Sequence, residues 1–242
     1  MHNNPAEVLS AIDEFGHQNE FLMNVGKNKG SIVSRIIEKR TPKIMVELGG
    51  YIGYSAIMFG DVLRKTGGKR YVSLEINEDF AFVASALISI AGLDDIVDIR
   101  VGPCTSSLQK LREEDANLQI DLLFLDHQKS AYVGDLMLCE TLSLVRSGST
   151  VVADNVISPG APLYLEYVRG NEVKKQELRS RLSLEDKRFL NMGNSNLKYT
   201  SRLHEGFEPT GESVSSFFPK HCIFMAPCLH QEYGYRPKCY LY

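Results

Sequence analysis

The chain has 242 residues, of which 43% are hydrophobic, so it can bury a full core. A net charge of −3 and a pI near 6.1 argue against a nucleic acid or an anionic membrane as a partner held by a general basic field. No segment has the roughly 20 apolar residues that span a bilayer, and the N-terminus lacks the pattern of a secretory signal. The five cysteines are an odd number without metal-ligand spacing, which is typical of free thiols in a reducing compartment. We therefore expect a cytoplasmic protein, and a monomer.

Residues 5–40 carry apolar side chains at helical spacing and are predicted to form a helical cap. From Lys43 onward, strand-like and helix-like segments alternate. The predicted strands are Ile44–Leu48, Tyr71–Leu74, Val97–Val101, Asp121–Leu125 and Thr150–Ala153. The predicted helices between and after them are Ser55–Arg64, Glu78–Ile90, Ser106–Glu113 and Gly134–Leu144. This alternation predicts an α/β fold with right-handed crossovers and a mostly parallel sheet covered on both faces.

The order loosens after Arg169. A charged helical stretch over about Val173–Phe189 precedes two strand candidates, Leu197–His204 and Val214–Phe218, which are predicted to form a closing antiparallel pair. We expect a single domain over residues 1–242, with a helical cap at 1–40, a core at 41–218 and a C-terminal tail at 219–242 to which no structure is assigned.

A glycine-rich turn follows the first predicted strand. Its glycines, among them Gly49 and Gly53, allow the backbone to approach a bound nucleoside, but their spacing is not the dinucleotide fingerprint. The turn lacks Lys and Arg and carries Glu47, which is unusual for a phosphate site. Glu75 ends the second strand, where a carboxylate can accept both hydroxyls of a ribose. An acidic nucleoside site suits a cationic, unphosphorylated cofactor such as S-adenosylmethionine. The plainer alternative is a structural turn followed by an exposed acid.

Oxygen ligands follow two further strands. Asp126 comes after Leu125, and Asp154 and Asn155 come after Ala153. The carboxyl ends of parallel strands meet at one edge of the sheet, and an all-oxygen set suits Mg²⁺. The alternative for both aspartates is N-capping of the helices that follow.

Lys129 lies three residues after Asp126. A nearby dication and partial burial would favour its neutral amine, which could then act as a base. Taken alone, it would more simply be a solvated surface lysine. The neighbouring His127 is expected to face the cofactor or to pack, because strand pleating points it away from Asp126.

Together these segments resemble the catechol O-methyltransferase family over roughly residues 6–170. The motifs that carry the resemblance are Glu47-Leu48-Gly49-x-Tyr51-x-Gly53-Tyr54-Ser55-Ala56, Glu75-Ile76-Asn77, Phe124-Leu125-Asp126-His127-x-Lys129, Ala153-Asp154-Asn155-Val156-Ile157-x-Pro159-Gly160 and Met23-Asn24-Val25-Gly26.

The resemblance implies a Rossmann-like class I methyltransferase with a seven-stranded sheet whose last strand is antiparallel. It implies that Lys129 is the general base and that Asp126, Asp154 and Asn155 hold Mg²⁺. The cofactor residues that it implies are Val25, Glu47, Gly49, Tyr51, Ser55, Glu75, Ile76, Cys104, Asp126 and His127. The acceptor residues that it implies are Phe21, Gln128, Lys129, Asn155, Pro159 and His204.

The departures from the family fall on the acceptor side. The chain has no Trp, whereas tryptophans wall the acceptor pocket of the family, and Phe21 and Gln128 occupy the matching places. His204, with Glu205 beside it, falls where the family has a glutamate that binds the second hydroxyl. About twenty residues more than in the family precede it.

The expected function is Mg²⁺-dependent methylation of one hydroxyl of an ortho-diphenol, a small aromatic diol. Methylation of larger phenolics such as caffeoyl thioesters is a close alternative. A nicotinamide-dependent reductase and a non-catalytic cofactor-binding relative are alternatives from other classes.

Overall fold

The computed structural model describes residues 3–207 and the backbone of residues 222–227. Two helices, α1 (Pro5–Gln18) and α2 (Gly26–Arg40), precede the first strand, as predicted for the cap. The elements that follow are β1 (Ile44–Leu48), α3 (Tyr54–Lys65), β2 (Arg70–Glu75), α4 (Glu78–Ala91), β3 (Val97–Val101), α5 (Cys104–Glu114), β4 (Leu122–Leu125), α6 (Tyr132–Thr141), β5 (Thr150–Ala153), α7 (Pro162–Arg169), α8 (Glu172–Glu185), β6 (Arg202–Glu205) and β7 (Cys222–Pro227). In the described part of the chain, no helix combines the length and apolarity needed to cross a membrane.

The strands form one seven-stranded sheet in the order β3-β2-β1-β4-β5-β7-β6. The first five strands along the chain are parallel, whereas β7 runs antiparallel to β5 and to β6. The α/β fold, the seven-stranded sheet and its antiparallel last strand are therefore confirmed.

The closing pair differs in part from the prediction. β6 overlaps the predicted segment Leu197–His204 and ends one residue beyond it, but β7 is Cys222–Pro227. The other predicted strand, Val214–Phe218, lies outside the described residues. Short apolar runs cannot be separated by pattern alone, and Cys222–Pro227 is the run whose register matches both β5 and β6.

Alternate side chains of the strands feed two apolar layers. On one face, Met45 and Phe124 belong to a buried cluster with α1, α2, α3 and α4. On the other face, Val46 and Leu123 belong to a cluster with α5, α6, α7 and α8. Because helices cover both faces of the sheet, a ligand site can form only at the ends of its strands.

Buried polar contacts fasten the stretch after α7 to the core. Glu140 on α6 accepts hydrogen bonds from the hydroxyls of Tyr167, at 2.5 Å, and Tyr199. The ammonium of Lys175 lies 4.5 Å from the centres of both rings and donates to the carbonyl of Leu197. Burial raises the pKa of Glu140, and Lys175 partly opposes that rise.

Candidate active site

A crevice opens where the strand order reverses. From β1 the sheet continues to β2 and β3 on one side and to β4 and β5 on the other, so the helices that follow β1 and β4 pack on opposite faces of the sheet. A cavity of about 760 Å³ lies at these carboxyl ends. The predicted site residues that line it are Phe21, Val25, Gly49, Tyr51, Ser55, Glu75, Ile76, Cys104, Asp126, His127, Gln128, Lys129, Asp154, Asn155 and Pro159.

The turn after β1 is built on close backbone approach. Gly49 has φ +94°, and a Cβ atom there would lie 2.8 Å from the backbone of Asp126 and His127. Gly53 has φ +86° and would place a Cβ atom 3.0 Å from that of Ala84. Larger residues cannot occupy either position without strain, so the glycines hold the loops after β1 and β4 in contact at the cavity floor.

Glu75 ends β2 with its carboxylate held by the backbone. Oε2 accepts from the amide of Tyr51 at 2.7 Å, and Oε1 accepts from the amide of Asn77 at 2.8 Å. A carboxylate has about four acceptor positions, so both oxygens keep capacity for a ligand. The orientation suits the predicted role of binding a pair of hydroxyls.

Asp126 and Asp154 stand side by side, because β4 and β5 are parallel neighbours. Burial, reinforced by the charge of Asp154, raises the pKa of Asp126 to about 7. Asn155 has φ +57° and lines the same cavity, and its amide nitrogen donates to Asp154 Oδ1 at 2.8 Å. Two crowded carboxylates with a carboxamide beside them fit a hard dication, which would relieve their repulsion.

Lys129 begins the short turn that leads into α6. Its Nζ atom donates to Asp126 Oδ1 at 3.0 Å and to the hydroxyl of Tyr132 at 2.7 Å. Its side chain is 19% exposed and lines the cavity. The amine is thus positioned beside the acid pair, where an acceptor hydroxyl would have to lie.

Lys29 was not predicted from the sequence. It lies in the first turn of α2, and its Nζ atom is 2.5 Å from Asp154 Oδ2. Both side chains are only 1% exposed. The sequence did hold a signal, because Lys29 falls on the same helical stripe as the buried residues Val33 and Ile36.

His127 and Cys104 line the cavity together with Asp135, another residue that sequence reasoning missed. His127 Nε2 lies 3.0 Å from Asp135 Oδ2, and its ring stacks on Tyr132. Burial, followed by the charges of Asp135 and Glu75, raises the pKa of the Cys104 thiol to about 12. Cys104 is therefore a neutral wall residue.

The mouth of the cavity is apolar and partly open. Phe21 is 54% exposed and Ile76 is 70% exposed, although both line the cavity. Tyr51 and Phe80 meet edge to face, with ring centres 4.7 Å apart. Gln128, the residue in place of a family tryptophan, is also exposed at this rim. An apolar ring can be held here, with a looser wall than an indole would provide.

Two predicted residues do not line the cavity. Glu47 is fully buried and accepts from the Ser73 hydroxyl at 2.6 Å. Burial raises the pKa of Glu47 to about 7, and hydrogen bonds from Ser55 and Ser73 only partly oppose this. His204 lies on β6, which β7 separates from β5 in the sheet, and it is not among the residues that line the cavity.

A family model described as O-methyltransferase matches residues 3–192. The chain belongs to the O-methyltransferase family. Among curated members of this family, catechol O-methyltransferase of Bos taurus is 40% identical over 167 residues, which are 69% of this chain and 61% of the relative. The transmembrane O-methyltransferase of Homo sapiens is 35% identical over 68% of this chain and 56% of the relative. The chain therefore spans about three-fifths of the length of such relatives.

Two solved structures that match this chain share its fold. The O-methyltransferase TomG of Streptomyces achromogenes, solved with S-adenosylmethionine (SAM), has a TM-score of 0.63 at 22% identity and covers 93% of this chain and 90% of its own. A Bacillus cereus O-methyltransferase, solved with S-adenosylhomocysteine (SAH), has a TM-score of 0.62 at 22% identity, with coverages of 92% and 90%. The resemblance to the catechol O-methyltransferase family that the motifs indicate is confirmed by the family model and by the curated relatives.

Proposed function

We propose that this protein transfers the methyl group of S-adenosylmethionine to one hydroxyl of an ortho-diphenol, with Mg²⁺ bound at the acid pair. The proposal depends on one observation: Asp126, Asp154 and Asn155 line the same cavity as Lys129 and Glu75. A metal-type ligand set, a candidate base and a candidate ribose ligand thus line a single space.

The residues fit the methyl donor by charge and shape. The carboxylate of Glu75 can accept the ribose hydroxyls, while Ile76 and the neutral thiol of Cys104 offer apolar surface to an adenine. Gly49, Tyr51 and Ser55 line the same cavity and are available to the rest of the molecule. Lys29 and Lys129, the lysines among the described residues that line the cavity, are both paired with aspartates, which suits a cationic ligand without phosphates.

The residues on the other side fit a chelating acceptor. A bound Mg²⁺ would bind the two adjacent oxygens of the acceptor and stabilise the phenolate. Lys129, held by Asp126 and Tyr132, is positioned to accept the proton of the reacting hydroxyl at its Nζ atom. Phe21 and Pro159 provide faces that orient the ring, so that much of the acceleration comes from holding both reactants in contact.

Labelled methyl transfer tests the proposal with a matched pair of acceptors, catechol and its para isomer hydroquinone, which lacks adjacent hydroxyls. We expect transfer to catechol only, loss of transfer in excess EDTA and recovery on adding Mg²⁺. A caffeoyl thioester in parallel tests whether the open rim prefers a larger ortho-diphenol. Equal transfer to both isomers, or transfer that persists in EDTA, would contradict the proposal.

A further inference from the structure

Four charged side chains form two ion pairs at the proposed metal site. Lys29 Nζ lies 2.5 Å from Asp154 Oδ2, and Lys129 Nζ lies 3.0 Å from Asp126 Oδ1. When all four are ionised, their charges sum to zero. The carboxylates that would bind a dication are therefore already matched by two ammonium groups.

The two lysines differ in access. Lys129 is partly exposed to the cavity, as a base must be, whereas Lys29 is 1% exposed. A buried ammonium in the first turn of a helix is doubly unfavourable, because it is desolvated and it meets the positive end of the helix dipole. The ion pair with Asp154 offsets this cost, so the placement of Lys29 needs a reason beyond packing.

We propose that Lys29 is a built-in counter-ion that keeps the site neutral without a metal, so that Mg²⁺ binds weakly alone and tightly only with an ionised acceptor. The proposal deepens the proposed function and rests on it for the nature of the acceptor. Lys29 is in this sense a positioning residue that acts through the charge of Asp154.

The charges of the cluster explain why Mg²⁺ would bind weakly without an ionised acceptor. A dication alone takes the four-residue cluster from 0 to +2 in a partly buried site, which is unfavourable. An ionised acceptor returns the total to +1, because Lys129 first releases its own proton to solvent and then takes up the proton of the acceptor. Without the charge of Lys29, the cluster starts at −1 and reaches only +1 with Mg²⁺ alone. Removing that charge should thus strengthen metal binding in the absence of acceptor and weaken its dependence on the acceptor.

Calorimetric titration of Mg²⁺ into the protein tests this, with S-adenosylhomocysteine present and no acceptor. The variants are Lys29→Met and Lys29→Gln, and the control is Lys27→Met, which removes a lysine that is 73% exposed on the same helix. We expect both Lys29 variants to bind Mg²⁺ at least about tenfold more tightly than wild type, with the control unchanged. Unchanged or weaker binding in the variants would show that Lys29 only orients Asp154, and would overturn the proposal.

A second titration, with catechol added, measures the coupling. In wild type, catechol should raise the Mg²⁺ affinity by a larger factor than in Lys29→Met. In each protein, Mg²⁺ must raise the catechol affinity by the same factor by which catechol raises the Mg²⁺ affinity. If a variant is unstable in EDTA, its melting temperature in graded Mg²⁺ supplies the affinity, and it should gain more stability than wild type. If catechol raised the Mg²⁺ affinity by the same factor in both proteins, the proposed role of Lys29 would be overturned, while the proposed function would stand. Absence of Mg²⁺ binding in every protein, even with catechol, would overturn the proposed function as well.

Discussion

The Nζ atom of Lys129 donates a hydrogen bond to the hydroxyl of Tyr132 across 2.7 Å. That hydroxyl donates in turn to the carbonyl of Leu125 at 2.7 Å. Tyr132 is fully buried, so the amine is anchored to the end of β4 through a rigid side chain. The position of the candidate base is therefore set by the sheet rather than by the loop that carries it.

Replacing Lys129 should remove the base and leave the rest of the site. We expect Lys129→Met to lower kcat by about 10² to 10⁴-fold, the usual range for loss of a general base, with little change in S-adenosylmethionine affinity. Steady-state kinetics and cofactor titration would measure both. Lys110→Met, at an exposed position of α5, is the matched control. Unchanged turnover would remove Lys129 from the mechanism.

Tyr132→Phe should loosen the amine without removing it. Because a hydrogen bond to a charged group contributes about 1.5 kcal/mol or more, we expect kcat to fall about tenfold while the KM for S-adenosylmethionine stays the same. The control is Tyr164→Phe, an equally buried tyrosine on α7. If kcat and KM changed together, or if the two variants behaved alike, Tyr132 would have only a packing role.

Glu75→Gln should weaken binding of the methyl donor. The amide keeps the size of the side chain but loses the charge and half of the acceptor capacity. We expect the Kd for S-adenosylmethionine to rise about tenfold or more, and the melting temperature to fall by only a few degrees. Calorimetry beside a thermal melt separates the two effects, with Glu78→Gln on the exposed side of α4 as control. A Kd equal to that of wild type would exclude Glu75 as a ligand of the cofactor.

The raised pKa of the Glu47 carboxyl should make the stability of the protein depend on pH. Its pKa is raised from 4.5 to about 7 by burial, so between these values the folded protein holds a proton that the unfolded chain has released. The stabilisation that this proton provides is complete below pH 4.5 and is lost as the pH rises through 7, by about 3 kcal/mol in total. Glu47→Gln cannot titrate, so its free energy of unfolding should change less between pH 5 and pH 8 than that of wild type.

Urea denaturation at the two pH values measures this, without cofactor or metal. Glu113→Gln, at an exposed position of α5, should keep the wild-type dependence. If Glu47→Gln kept it too, the carboxyl of Glu47 would titrate at its ordinary pKa in the folded protein.

Residues that end strands were predictable from the sequence. The alternation of apolar strands and amphipathic helices determines a parallel sheet, and the carboxyl ends of its strands share one edge. Glu75 ends a strand, Asp126 and Asp154 directly follow strands, and all three therefore line the same cavity. The local sequence pattern was enough to predict these site residues, because their positions follow from where the strands end.

Residues whose roles depend on helix packing or on strand order needed the tertiary structure. Lys29 is 125 residues away from Asp154 along the chain, and only the docking of α2 brings the two together. A one-dimensional register predicts His204 on the acceptor side of the site, but His204 lies on β6 and is not among the residues that line the cavity. A sequence determines which residues end a strand, because that is a local property of the backbone. Which charges meet in the interior is decided by long-range packing, in which a buried ammonium is stable only where a carboxylate meets it.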